Sequence, residues 1–322
     1  MFKTRFISML VLLAAVVTGA MAQTTYKVSV KEGTEDATSW TITPDEATTT
    51  GVAAGTEVKA TYGGAKKVKS VKAVKKAPAG IPLDNTTTAW SAGTYAVPAG
   101  GLTYSDAITV SGDVTLVLTD GETLTLNKGI SIADGATLTI QGNGTMNVNG
   151  TNGADNNTQA SGASADSGTE AISGSGTVVL TSGTLTAIGG NGGNVSDYMP
   201  NCKGGHGAAA ISCTLTVNGG TLTATGGNGG SLTSGVGFKG VAGNGGAGVS
   251  GALTVNGGTL TATGGNRGAK SSGPFASDGN IGRGVSSTWT AGTGITFSDS
   301  ADGTSWTANT GTSSTQRYVK AE

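Results

Sequence analysis

Pairs of apolar residues separated by one other residue recur along the chain from residue 95 onwards. They stand at Leu116/Leu118, Leu124/Leu126, Ile130/Ile132, Leu138/Ile140 and Met146/Val148. Because successive side chains of a strand point to opposite sides, each pair predicts a short strand with two residues facing a core. The spacing is nearly even, and every third pair completes one coil, as from Leu116 to Leu138. The pattern predicts an all-β fold, a right-handed single-stranded parallel β-helix with three faces and roughly 22 residues per coil.

The second half of the chain repeats the same pattern at a longer interval. The segment LTVNGGTLTATGGN occurs unchanged at residues 215–228 and 253–266, and the equivalent positions are Leu138, Val178, Leu215 and Leu253. The third face is expected to return at Ile172, Ile211, Val249 and Val285. Repeats of this kind bury their apolar faces by stacking on their neighbours. The longer interval predicts four stacked loops on one edge, at about 150–168, 189–207, 226–246 and 264–284.

The first 88 residues differ from the repeats. Residues 1–22 contain Lys3 and Arg5, an apolar run and Ala20-Met21-Ala22, which is typical of a signal peptide cleaved before Gln23. Four short strands are predicted, at residues 26–30, 40–43, 52–62 and 68–74. Residues 23–77 are therefore expected to form a small β domain, 78–88 a linker, and 89–322 the β-helix with its C-terminal cap. We expect an exported protein, periplasmic, cell-surface or extracellular, with no integral membrane segment after cleavage.

Composition and charge narrow the function classes. The chain has 57 glycines, 5% aromatic residues and a formal net charge of -1, so no overall field favours nucleic acid as a partner. Cys202 and Cys213 are candidates for a disulfide in an oxidising compartment, with two free thiols as the alternative. No metal site or cofactor is expected, since His206 is the single histidine and no cysteine cluster has ligand spacing.

The candidate ligand-binding residues lie in the loops. Each of the last three loops contains one aromatic residue at comparable depth, and lysines and an acid accompany them; the candidates are Tyr198, Lys203, Phe238, Lys239, Phe275 and Asp278. Stacked aromatic rings on one edge form a platform for sugar rings, whose C–H faces pack on π faces, and the polar groups hydrogen-bond hydroxyls. The alternative is that each aromatic ring folds back and covers the base of its own loop.

Catalysis is not expected from this pattern. Enzymes that use parallel β-helices to degrade polysaccharides need clustered carboxylates, or a base beside acids, on a strand face. The outward positions here are mostly Thr, Ser and Asn, and the acids are dispersed at corners.

The segments DVTLVLTDGETLTL, ISIADGATLTIQGNGTMNV and GGTLTATGGNGG resemble exported, glycine-rich bacterial β-helix proteins often described as carbohydrate-binding domain-containing. The resemblance covers about two thirds of the chain, and the leader and residues 31–62 resemble surface proteins of gut Bacteroides-like bacteria. It implies a non-catalytic carbohydrate-binding or adhesin-like surface protein whose loops contact a polysaccharide or glycoconjugate. The alternatives are a structural surface-coat solenoid without a small ligand, and a polysaccharide lyase or hydrolase.

Overall fold

The computed structural model describes six strands between residues 25 and 75, and residues 80–322 apart from 159–160, 197–199, 234–238 and 271–274. Every regular element in these described parts is a β-strand. The chain divides into two compact units, Met1–Pro78 and Ala79–Glu322. The predicted leader lies outside the described residues. None of the described segments forms a helix of the length and apolarity needed to cross a membrane.

The N-terminal unit consists of short antiparallel strands. Its central strand, Thr25–Glu32, pairs with three others: Glu35–Asp36, Val52–Ala53 and Ser70–Lys75. A separate pair joins Trp40–Thr43 to Lys59–Tyr62. The sequence pattern predicted one strand over residues 52–62, but the structure has two there, and they belong to different sheets.

The second unit is a parallel β-solenoid in which strands from successive coils stack on one another. The first stack consists of the strands Ala89–Ala96, Ile108–Leu118, Thr137–Gly142, Thr177–Leu180, Thr214–Val217, Leu253–Val255 and Trp289–Ala291, preceded by Ile81–Pro82. The register aligns Val178 with Leu215, Leu215 with Leu253 and Leu253 with Trp289, which confirms the counted repeat. Since Ile81–Pro82 pairs in parallel with residues 95–96, part of the predicted linker belongs to the solenoid.

A second stack runs beside the first. It consists of the parallel strands Leu102–Tyr104, Thr123–Leu126, Thr145–Asn149, Thr184–Ile188, Thr221–Thr225 and Thr259–Thr263. Threonines occupy most of its outward positions, and the Leu, Met, Val and Ala side chains between them are buried. This alternation is the pattern expected of strands with one face in a core.

The third stack is less regular. The first residues of Ile108–Leu118 pair with Ile130–Ile132, which pairs with Ile172–Gly174. The stack then continues through single parallel bridges that connect Ile172, Ile211, Val249 and Val285, as the count predicted. The inward side chains of the three stacks form one continuous buried core.

Tight corners and a C-terminal cap complete the solenoid. At the corner between the first and second stacks, Gly220 and Gly258 have φ of 78° and 79°, and the Asn256 side-chain amide donates to Asn218 Oδ1 at 2.9 Å. The two asparagine side chains are therefore linked from one coil to the next, and the positive φ falls on the second glycine of each NGG corner. The last strand, Tyr318–Ala321, pairs antiparallel with Thr259–Thr263 and with Phe297–Ser300, which pairs with Thr307–Ala308. It covers the last strand of the second stack, at the C-terminal cap that the sequence predicts.

Candidate functional site

The described parts of the loops are connected by backbone hydrogen bonds that recur at every third position. On the outgoing side of one loop, Gly189 and Gly192 donate to carbonyl groups of the next coil, at 2.9 Å and 2.8 Å. The residues that follow them, Gly190 and Gly193, donate to the returning side of the preceding loop, each at 2.9 Å. A backbone with three residues per turn points successive N–H groups in three directions, as in an extended polyproline-II conformation. The loops thus form a packed bundle of extended chains beside the solenoid.

The third N–H of each triplet is satisfied by a side chain of the preceding loop. Asn228 N–H donates to Asn191 Oδ1 at 2.7 Å, and Asn266 N–H donates to Asn228 Oδ1 at 2.8 Å. On the returning side, Asn244 N–H donates to His206 Nδ1 at 2.9 Å. His206 is exposed and belongs to this ladder. These side-chain ladders supplement the backbone hydrogen bonds between neighbouring loops.

On their returning sides, the last three loops each contribute one strand to a three-stranded parallel sheet, which we call the loop sheet. Its strands are Cys202–Lys203, Gly240–Val241 and Ala276–Ser277. The sheet rests on a small buried cluster separate from the main core, composed of Ala163, Ala165, Val195, Cys202, Leu232, Ala242 and Ala276. Residues 202, 240 and 276 are buried, whereas the residues on either side of them that line the sheet are exposed. The loop sheet therefore presents outward side chains on a firmly supported base.

These outward residues line an open groove of about 320 Å³. Its lining contains Asn201, Lys203, Lys239, Val241, Phe275 and Ser277. Phe275 is 63% exposed and Val241 is 46% exposed, which gives the groove an apolar surface. The volume lies near the lower end of the range typical of small-ligand sites.

Three of the six candidate ligand-binding residues meet in this groove. Lys203, Lys239 and Phe275 line it together, and the exposure of Phe275 favours the platform over a ring folded onto its own loop. Tyr198 and Phe238 lie outside the described residues. Asp278 does not line the groove: its Oδ1 accepts the Lys270 N–H at 2.9 Å, and its Oδ2 lies 3.4 Å from Arg267 Nη2. Asp278 thus lies apart from the three residues that line the groove, and its role in ligand binding stays a prediction.

Sequence reasoning missed the remaining lining residues. Lys203 pairs in register with Val241, which pairs with Ser277, so a count of the repeat through the loops identifies both residues. Asn201 has a φ of 66°, in the left-handed region that asparagine tolerates better than most residues. That turn places Asn201 immediately before the first strand of the loop sheet.

The predicted disulfide between Cys202 and Cys213 is not formed. Cys213 is a free thiol in the main core, whereas Cys202 belongs to the separate cluster beneath the loop sheet. Burial raises the pKa of the Cys213 thiol to about 12. A thiol of this kind is unreactive at neutral pH.

Among the described residues, two aspartates with lowered pKa values accept hydrogen bonds from residues close to them in the chain. Hydrogen bonds from Thr86 and Thr87 lower the pKa of Asp84 to about 2, and hydrogen bonds from Ser305, Thr304 and Ser300 lower the pKa of Asp302. Both carboxylates are exposed and accept nearby backbone N–H groups. Among residues that the structure describes, no group of three or more His, Cys, Asp or Glu side chains is arranged to hold a metal ion.

Comparisons with protein-family models, with curated proteins and with solved structures found no match for this chain. The groove is therefore interpreted from its own geometry and chemistry.

Proposed function

We propose that this is an exported, non-catalytic glycan-binding protein that contacts its ligand through the groove on the loop sheet. The proposal includes a right-handed, three-faced solenoid as the scaffold. The observation that carries it is the exposed ring of Phe275 beside Lys203 and Lys239 on a supported sheet. An aromatic face packs against the C–H face of a sugar ring, and ammonium groups donate hydrogen bonds to its oxygen atoms.

The rigidity of the loop sheet supports this function. Its three strands are paired in register, and the described parts of the loops are connected by backbone and side-chain hydrogen bonds. A surface that is already ordered loses little conformational entropy on binding, so weak individual contacts produce a measurable affinity.

A saccharide array followed by titration calorimetry tests the proposal. We expect Phe275→Ala to weaken binding of the best array ligand roughly 2- to 12-fold, which corresponds to ~0.5–1.5 kcal/mol for a lost aromatic contact. The matched control is Ile281→Ala, since Ile281 is 51% exposed in the same loop and does not line the groove. Tyr198→Ala and Phe238→Ala test the remaining predicted platform residues. Equal affinities for the native protein and Phe275→Ala would contradict a role for the groove.

A structural surface-coat solenoid is the second candidate. The feature that favours it is the repeating hydrogen-bond pattern at every third position, which makes the loops a continuation of the scaffold rather than free binding loops. Absence of binding to every saccharide on the array, together with self-assembly of the purified protein on a surface, would favour this candidate over glycan binding.

A further inference from the structure

The charge of the groove on the loop sheet narrows the class of glycan it accepts. Its lining contains two lysines and no carboxylate among the described residues. Within this described part of the chain, neither Lys203 nor Lys239 forms an ion pair. The nearby carboxylate of Asp278 is engaged by Arg267 and by the Lys270 N–H. The groove therefore has a net positive charge on an otherwise weakly charged molecule.

The two lysines are placed diagonally across neighbouring strands. Cys202 pairs with Gly240, so Lys203 lies one residue beyond this pair and Lys239 one residue before it. Strands ~4.8 Å apart with a rise of ~3.3 Å per residue put their Cα atoms about 8 Å apart. The exposed Val241 and Phe275 lie next to them in the same lining. This combination suits a ring with an apolar face and negatively charged substituents at its edge.

We infer that the groove binds an anionic polysaccharide, with Lys203 and Lys239 contacting carboxylate or sulfate groups and Phe275 packing on a sugar ring. This inference rests on the proposed function. Lysine binds anions as a point charge rather than through a fixed fork of donors, so carboxylate and sulfate are both compatible with the site.

Four polymers separate the role of charge from that of the sugar backbone. Polygalacturonate carries ionised carboxyl groups that are neutral methyl esters in its fully esterified form, and dextran sulfate and dextran differ only in sulfate. We expect the full chain to bind at least one charged polymer more tightly than its neutral counterpart, and the preferred charged polymer identifies the anion. Because exposed charges are screened by salt, this preference is expected to shrink as NaCl rises from ~0.05 to ~0.5 M.

The double substitution Lys203→Gln/Lys239→Gln tests the two residues. Two exposed ion pairs are worth roughly 2- to 30-fold in affinity, so we expect a loss in that range for the charged polymer and none for the neutral polymer. Lys270→Gln is the matched control, an exposed loop lysine outside the groove. The salt titration of the native protein needs no variant and remains decisive if the double variant does not fold.

The outcomes distinguish this inference from the proposed function. Equal binding of charged and neutral polymers that is reduced by Phe275→Ala would overturn the anionic ligand and leave glycan binding intact. A charge preference that Lys203→Gln/Lys239→Gln leaves unchanged would also overturn it. Absence of binding to all four polymers and to the saccharide array would overturn both.

Discussion

Single glycines in the loops are required for space rather than for an unusual backbone conformation. Gly230 and Gly243 are not among the glycines with positive φ, so an alanine is compatible with their backbone angles. However, a methyl group on Gly230 would collide with the carbonyl oxygen of Gly193, and one on Gly243 with that of Gly205. Neighbouring loops approach so closely that no side chain fits between them.

Gly230→Ala is therefore expected to destabilise the solenoid. Overpacking of a tight contact typically costs about 1–3 kcal/mol, and here the obstacle is backbone that cannot rotate away. The control is Gly311→Ala, because Gly311 is exposed and has no backbone atom closer than 4.0 Å to the added methyl position. Urea denaturation measures both variants, and the control also corrects for the loss of glycine entropy in the unfolded chain. Similar midpoints for the two variants would show that the loops are looser than described.

The buried thiol of Cys213 is expected to lower the free energy of unfolding at alkaline pH. Burial raises its pKa from 9.0 to about 12. Below pH 9 the thiol is protonated in both the folded and the unfolded chain, so its contribution to stability is fully present. Above pH 9 the unfolded chain loses this proton and the folded chain keeps it. The free energy of unfolding is thus expected to fall as pH rises towards 12, by on the order of 4 kcal/mol in total.

Urea denaturation at pH values from about 8 to about 11 measures this dependence. Cys213→Ala removes the titrating group, so its free energy of unfolding should fall less steeply with pH than that of the native protein. Ellman's reagent supplies an independent measurement, because Cys213 should react only when the chain unfolds. Rapid reaction of Cys213 in the native protein at pH 8 would disprove its burial.

At the level of elements, the C-terminal segment contacts both the last strand of the second stack and the base of the last loop. Tyr318–Ala321 covers the last strand of the second stack, with Val319 and Ala321 buried. Just before it, Arg317 donates through Nε to the Gly264 carbonyl at 2.9 Å, and its own carbonyl accepts the Gly264 N–H at 2.8 Å. The cap therefore closes both the end of a sheet and the base of the last loop.

Deletion of residues 316–322 is expected to expose this sheet edge and promote association. An unpaired strand such as Thr259–Thr263 is a template for pairing with another chain, so oligomers should appear in size-exclusion chromatography with light scattering. Glu322→Gln is the control, since it removes only the exposed Lys320–Glu322 ion pair at 2.9 Å and should stay monomeric if the native protein is. A truncated protein with the native mass distribution would show that the cap is dispensable.

The elements also show which features could be predicted from the sequence. Apolar pairs predicted the stacked parallel strands because burial imposes a strict alternation along each strand, and this register holds as far as Trp289. The regular structure of the described parts of the loops was not predicted, because it depends on close packing and on hydrogen bonds at every third position. Loop depth grouped Lys203, Lys239 and Phe275, which line the groove together, with Asp278, which lies outside it. Depth along a loop does not determine which partner a carboxylate finds.

At the level of the whole molecule, the repeat makes the solenoid modular. Leu215 pairs with Val178 on one side and with Leu253 on the other, and the side-chain ladder through Asn191, Asn228 and Asn266 recurs in the same way. In arrays of this kind, stability is approximately a sum of repeat and interface contributions. Removal of one complete repeat therefore leaves compatible surfaces on both sides of the junction.

Deletion of residues 215–252, which joins Thr214 to Leu253, is expected to yield a folded protein of lower stability with a native-like β circular dichroism spectrum. The new neighbours still match, because Asn266 takes the place of Asn228 next to Asn191 in the side-chain ladder. The deletion also removes Lys239 and Val241, so binding of a charged polymer should weaken although the fold persists. Deletion of residues 215–233 alone is the control, since it removes two stacked strands but keeps half a loop. This control should unfold or aggregate; equal tolerance of both deletions would contradict a solenoid held in register by its loops.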